Sequence, residues 1–306
     1  MNTQWNESQW PTNALVSDDF ANYLAAPCEQ SSTIKHAIKS VRHYHWFKQA
    51  KPKETEAQAF GTMIHTAILT PELWDDKYIV FDPDKRPNPD QTFGAKINKE
   101  WKEAFYAKAE AEGKIVIDKE RMENFETIME VFQGSHYAEY FQSNDGNTIN
   151  RAEHSIYTPL FMDMMHKVRI DFIKEYYDEH GELERVSVRE IKSCDDSHPD
   201  GFLRDIYNYR YDIQAYMQMT ALGSLLPDNV GLDFKWLAIA TKPPFGIQEY
   251  KPSYEALEKA KKDFQVACAT IYDYKQGNND VPVSYFADAV FVDVPGYMKK
   301  HDVDPF

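Results

Sequence analysis

The chain has 306 residues, of which 42% are hydrophobic and 14% aromatic. That excludes a disordered chain and gives enough apolar material for one large domain, or a domain with an added subdomain. A formal net charge of −15 argues against broad, non-specific nucleic-acid binding, which needs Lys and Arg at phosphates. It leaves room for a nucleic-acid enzyme, whose catalytic carboxylates are themselves acidic and whose basic channel can be local.

The chain opens on MNTQWNESQW. This stretch lacks the basic and apolar regions of a secretory signal, and no apolar run approaches the roughly 20 residues that span a bilayer. A cytosolic protein with no membrane contact is expected. Residues 1–30 read as a loosely structured lead-in. Ser31-Ser32-Thr33 then caps a short helix through Ser40. Residues 41–50, VRHYHWFKQA, form the most cationic patch of an acidic chain. They fit an ordinary amphipathic helix or a contact to a polyanion.

Ala59 to Leu69 reads as a helix with an apolar stripe at Met63, Ile64, Ala67 and Ile68, ended by Pro71. His65 lies inside it, where a lone histidine is commonly a satisfied core residue. Residues 78–95 hold Pro83, Pro87 and Pro89 and read as loop. Helices are expected over 96–111, 118–133 and 136–141, forming a flank without a chemical signature.

The pattern changes after the turn cluster Asn144-Asp145-Gly146-Asn147. Strands are expected over 151–159, 164–176 and 185–192. In the second, Val168, Ile170 and Phe172 should share one face and Lys167, Arg169 and Asp171 the other. In the third, period two puts Val186, Val188, Glu190 and Lys192 together, with Ser187, Arg189 and Ile191 opposite. A face that begins with two valines and ends in a carboxylate and an amine is unusual. Desolvating such charges is costly unless they are paired or bind a metal at a strand end. Residues 193–200 read as a polar loop and 201–226 as a helix broken near Asn208, with Tyr211, Gln214 and Gln218 on one face. Phe234 to Ala240 reads as a central strand, Gly246 to Lys251 as another, and Ser253 to Tyr274 as a long helix. The tail, 280–306, has short Val- and Phe-rich pieces. Cys28, Cys194 and Cys268 are odd in number and far apart, so free thiols are expected rather than disulfides or a Cys-x-x-Cys metal site.

Asp171, Glu190, Lys192 and Gln214 thus follow in order over two strands and a helix. Two carboxylates on adjacent strands can share a hard divalent cation, and a nearby lysine can orient or deprotonate a water, or offset developing charge. That is the chemistry of phosphodiester hydrolysis. The order resembles the PD-(D/E)xK nuclease superfamily, and more closely the RecE-type exonucleases (exodeoxyribonuclease VIII and its phage relatives). Lambda exonuclease and the RecB nuclease domain are more distant kin. The residues that carry the resemblance are Gly61-Thr62-Met63-Ile64-His65, Arg169-Ile170-Asp171, Glu190-Ile191-Lys192, Tyr211-Asp212-Ile213-Gln214-Ala215 and Lys242-Pro243-Pro244-Phe245.

The resemblance implies an α/β (α+β) fold, a restriction-endonuclease-like core with a central mixed β-sheet flanked by helices. It divides the chain into a helical region at 1–145 that contributes His65 and a nuclease core at 146–306, together one compact domain. His65, Asp171, Glu190 and the Ile191 carbonyl would be metal ligands, with Glu153 a further candidate. Lys192 would be the catalytic lysine, and Gln214 would orient groups beside it. Arg42, Lys35, Arg169 and Tyr211 are candidate DNA contacts. The family often has Gln-x-x-x-Tyr on the helix. Gln218 stands where that tyrosine would be, which leaves Tyr211 and Tyr216 as its replacements.

The implied activity is a Mg²⁺-dependent deoxyribonuclease, acting 5′→3′ on double-stranded DNA ends, with Mn²⁺ as a substitute and two ions bound. Implied partners are an annealing protein or recombinase and further copies of the chain in a ring-like trimer or tetramer, in a bacterial or phage-infected cytosol. One alternative is a related nuclease of other polarity or substrate, Cas4-like but without the iron–sulfur cluster that three scattered cysteines do not support. The other is a non-catalytic DNA- or protein-binding module on a nuclease fold, which the acidic charge favours and the intact polar set opposes.

Overall fold

The structure is a computed structural model, and it describes residues 11–50, 54–142 and 146–277. The tail and the Asn144-Asp145 part of the turn cluster lie outside the described residues. Eight strands and eleven α-helices are described. Six strands make one mixed sheet: β1 (Leu15–Ser17), β4 (Thr148–Phe161), β5 (Met164–Tyr177), β6 (Leu183–Cys194), β7 (Gly231–Ala240) and β8 (Ile247–Tyr250), neighbours in that order. Only β6 and β7 run parallel; the other neighbours are antiparallel. This is the expected central mixed sheet.

Two helical layers cover it. On one face lie α2 (Ser31–Ala37), α3 (Val41–Gln49), α9 (Pro199–Tyr209), α10 (Tyr211–Gly223) and α11 (Tyr254–Lys275), packed on Val186, Val188, Phe234, Trp236 and Ala238. On the other lie α4 (Glu56–Leu69), α7 (Lys119–Gln133) and α8 (His136–Gln142), packed on Ile191, Leu237 and Ile239. The alternation along β6 and β7 is what a strand buried on both sides requires. Helices α4, α7 and α8, which precede residue 146, share an apolar cluster with Phe172, Ile191, Leu237 and Ile239 of the sheet.

Several sequence expectations need correction. From residue 11 on, the lead-in is ordered, its first ten residues lying outside the described residues: β1 pairs with β4, and α1 (Phe20–Ala25) follows it, with the Asp19 carboxylate capping the Asn22 N–H. Within 78–95 lies a strand, β2 (Tyr78–Phe81), which pairs in parallel with β3 (Ile115–Asp118) across α6 (Lys96–Ala111). Both strands have four residues, too few for a period-two signal beside prolines. The break in the 201–226 helix falls at Arg210, whose φ of 60° ends α9 in a left-handed cap. Arg210 is pinned there by Asp212 and Asp263. Finally, Phe172 does not share a face with Val168 and Ile170. It packs against Phe141 of α8 in the opposite layer, while Ile173 takes over the first face.

That change of phase is local. Ala152 pairs with Phe172 and His154 with Ile170, so Glu153 and Asp171 face each other by count yet are not paired. Glu153 has a φ of 57°, the left-handed region that a residue with a side chain rarely enters. At this point the β4–β5 ribbon exchanges the layers its side chains face. The three cysteines are free and buried.

One buried charge ties the first helical layer to the sheet. The main chain of Glu29 exchanges hydrogen bonds with Met165 and Lys167 of β5. Its carboxylate, 2% exposed as a residue, accepts from Tyr44 at 2.7 Å, Thr33 at 3.2 Å and Lys275 at 2.9 Å, with Lys48 at 3.3 Å. Burial raises its pKa, but the bond from Lys275 and the charge of Lys48 outweigh that and hold it at about 2, against 4.5 ordinarily. A carboxylate with a depressed folded pKa stabilises the fold above its unfolded pKa. That contribution is lost as pH falls from about 4.5 towards 2. We expect Glu29→Gln to lower stability by on the order of 2 kcal/mol at pH 7 and to flatten the acid limb of the stability–pH curve. Urea unfolding across pH checks this; a variant curve parallel to that of the wild type would refute it.

Candidate active site

The site lies where β5 and β6 part. Their pairing runs to Phe172 opposite Arg189 and then stops, while β6 continues on β7 to Cys194. Ile191 therefore has no strand partner on the β5 side, and side chains replace it. Its N–H donates to Asp171 Oδ2 at 2.8 Å, and its carbonyl is 3.2 Å from His65 Nε2. Buried backbone groups demand such partners, so Asp171 and His65 are fixed by the fold's own needs.

Helix α4 can bring His65 this close because of Gly61, one turn earlier. A Cβ at Gly61 would lie 2.6 Å from the Ser193 hydroxyl. With the Ile191 carbonyl taking the Nε2 proton, a neutral His65 turns its Nδ1 lone pair inward. Nδ1 lies 3.7 Å from Asp171 Oδ2 and 4.0 Å from Glu153 Oε1. Ligand atoms of His65, Glu153 and Asp171 all fall within 4.8 Å of one another. Among the described residues they are the one such trio able to share an ion.

Glu190 and Lys192 stand beside this trio, on the face that β6 shows to α10. The Glu190 carboxylate is saturated by protein donors: Gln214 at 2.5 Å and Lys192 at 2.9 Å on one oxygen, Gln218 at 2.9 Å on the other. Gln218 also donates to the Arg169 carbonyl at 2.7 Å. Gln218, which the sequence places on one face with Tyr211 and Gln214 and where the resemblance expects a tyrosine, is thus a clamp on Glu190. Its spacing of four from Gln214 was the available signal. Of the two candidate phenols, Tyr211 lies at the site, with Lys192 Nζ 4.7 Å from its ring centroid. Tyr216 packs on Phe264 of α11.

The candidate DNA contacts separate. Lys35 reaches the Tyr209 carbonyl at 3.4 Å; burial and then the charges of Lys192 and Lys39 lower its pKa, so it lies in the field of the site lysine. Arg42 is exposed at the start of α3, and no contact ties it to the site among the described residues. Arg169 is corrected: its guanidinium is taken up by Glu153 at 2.6 Å and Asp18 at 2.9 Å, which leaves it inside the protein scaffold. The Ile191 carbonyl, expected as a ligand, here accepts from His65.

The charges push one another in a consistent way. Burial and the neighbouring Glu190 raise Asp171 to about 7, against the pull of His65 and Lys192. Burial lowers the pKa of His65, but Asp171 and Glu153 outweigh it and push it up to about 9. Burial raises Glu153, but the nearby His65, 4.0 Å away, and the charge of Arg169 bring it below the usual carboxylate range. Burial opposes the charge on Lys192, yet Glu190 and Asp171 raise its pKa. Lys192 thus holds its protons and acts as a cation. A carboxyl raised by burial and by a neighbouring carboxylate, beside an imidazole that two acidic groups hold protonated, marks a place where a divalent cation would relieve the strain. One imidazole nitrogen and two carboxylates are a donor set able to hold a divalent cation.

Comparison with known proteins gives three findings. A family profile described as "PDDEXK-like domain of unknown function" matches residues 31–284. No curated protein matches the sequence. A crystal structure from Eubacterium rectale, described as a "putative exonuclease", is similar in fold with a TM-score of 0.52 at 13% identity, covering 98% of this chain and 99% of that one.

Coordination requires a neutral His65 and an ionised Asp171, so a cation must displace the protons that these raised pKa values retain. We expect apparent Mn²⁺ affinity, measured by isothermal titration, to fall by about 100-fold or more between pH 8 and pH 6, with protons released on binding. Affinity independent of pH over that range would contradict the assignment.

Proposed function

The chain belongs to the family of PDDEXK-like domains of unknown function, and on that premise we propose that it is a metal-dependent nuclease hydrolysing DNA from duplex ends. The observation that carries this reading is the meeting of His65, Glu153 and Asp171 at the parting of β5 and β6, with Lys192 alongside. A divalent ion held there, Mg²⁺ with Mn²⁺ as substitute, would activate water and stabilise charge on the phosphate. Whether one ion or two, the ligands would be His65 Nδ1, Glu153 and Asp171, with Glu190 next to them.

The protein groups divide the remaining work. Lys192, a cation fixed by Glu190 and laid over Tyr211, offsets the negative charge that grows on a phosphate under attack. Gln214 and Gln218 hold Glu190 rigid, which in turn places Lys192. Lys35, in the field of Lys192, supplies a second positive charge for the backbone of the substrate. Local cations of this kind reconcile a DNA substrate with a chain of net charge −15.

In this reading the enzyme degrades the 5′-ended strand and leaves a 3′ single strand for an annealing protein or recombinase, as part of a ring-like oligomer. The fold likeness to the Eubacterium rectale protein and the family's PDDEXK character support nuclease chemistry; polarity, oligomer and partner are our reading. Among the described residues no helix is long and apolar enough to cross a membrane.

End-labelled linear duplex incubated with Mg²⁺ or Mn²⁺ tests it. The wild type should shorten linear duplex and spare covalently closed circles. Lys192→Ala and Asp171→Ala should each lose about 100-fold or more in rate while remaining folded at the assay temperature, Asp171→Ala with a lower unfolding temperature because the Ile191 N–H loses its partner. Variants that cut as well as the wild type would refute the site.

A further inference from the structure

The family match begins at residue 31, yet the segment before it reaches the candidate metal centre. Asp18, between β1 and α1, has a side chain only 2% exposed. It accepts from Ser155 Oγ at 2.7 Å, from the Tyr157 hydroxyl and from Arg169 Nη1 at 2.9 Å. Its backbone carbonyl accepts from the same Nη1 at 3.1 Å. The rings of Phe20 and Tyr23 in α1 lie 5.9 and 6.0 Å from the Arg169 guanidinium carbon. Arg169 is thus fixed from one side by the β1–α1 segment. From its other side its Nε donates to Glu153 Oε2 at 2.6 Å.

Glu153 needs such a hold. With φ at 57°, its backbone is strained relative to an extended strand residue. Relaxation to ordinary strand geometry would re-aim the side chain, because successive strand residues point to opposite faces. A free arginine is too flexible to oppose that, since it would spend side-chain entropy on each bond. An arginine already fixed by Asp18 has lost that freedom.

We propose that Asp18 and Arg169 are positioning residues of the metal centre: the β1–α1 segment locks Arg169, and Arg169 holds the strained Glu153 turned toward His65 and Asp171. This rests on the metal-centre reading above. The chain N-terminal to the family match is then a working part of the site rather than an added strand. Lys167 strengthens the attachment of that segment, since its amine donates to the carbonyls of Tyr23, Leu24 and Ala26 at 2.7, 3.1 and 2.9 Å, at the open end of α1.

Isothermal titration of the full chain with Mn²⁺ tests the proposal, with thermal unfolding run in parallel. Asp18→Asn should weaken Mn²⁺ binding about tenfold or more, the scale seen when groups orienting metal ligands are removed. In a Glu153→Gln background the same change should cost no further affinity, because its path runs through Glu153. Tyr157→Phe, which removes a bond to Asp18 without touching Arg169, should alter unfolding temperature and leave Mn²⁺ affinity within twofold. Unchanged affinity in Asp18→Asn, or an equal loss in both backgrounds, overturns the positioning role. A wild type that binds no Mn²⁺ overturns the metal-centre reading itself, and this proposal with it.

Discussion

The parting of two hydrogen-bonded strands governs this molecule. β5 and β6 pair until Phe172 and Arg189, and the two polar backbone groups of Ile191 beyond that point are left without a strand. A buried peptide group without a partner costs about 1–3 kcal/mol, so side chains are recruited to it. Asp171 takes the N–H and His65 faces the carbonyl. The backbone's demand for partners thus brings a carboxylate and an imidazole together. Gly61, by allowing α4 to approach Ser193, sets the distance at which that can happen.

Electrostatics follows from the same geometry. The gap draws Asp171, Glu153 and Glu190 into a region largely closed to water, and each is answered differently. Glu190 is answered by protein donors, Gln214, Gln218 and Lys192. Glu153 is answered by Arg169 and His65. Asp171 is left with the weakest answer, and burial with the charge of Glu190 raises it to about 7. Placing two like charges near a third in low dielectric is costly. The fold carries that cost at the one place where the described residues offer three ligand atoms to a cation, as functional sites often do.

Much of this was legible in the residues. The period-two face that runs from Val186 and Val188 into Glu190 and Lys192 survives in the structure, with the valines in one apolar cluster and Ile191 in the other. The helix that carries Gly61 and His65 was legible from its apolar stripe, but the pattern alone reads His65 as a core histidine, and only the resemblance points to it as a ligand. What stayed hidden depends on contacts far apart in sequence or on short elements. Phe172 changes layer because the ribbon breaks at Glu153, and an acidic residue with a left-handed backbone has no signature. Arg169 reads as a free cation until Asp18, 151 positions earlier, is folded against it. β1 has three residues and β2 and β3 four each, below the length at which alternation can be distinguished from chance.

The central claim is that His65, Glu153 and Asp171 form one cation site at the parted strands. Crystals of the protein grown or soaked with Mn²⁺ and measured at the manganese absorption edge test it most directly. The account predicts an anomalous peak about 2.0–2.3 Å from His65 Nδ1 and from one oxygen each of Glu153 and Asp171. An ion bound elsewhere, or one that leaves His65 and Glu153 uncoordinated, would contradict it.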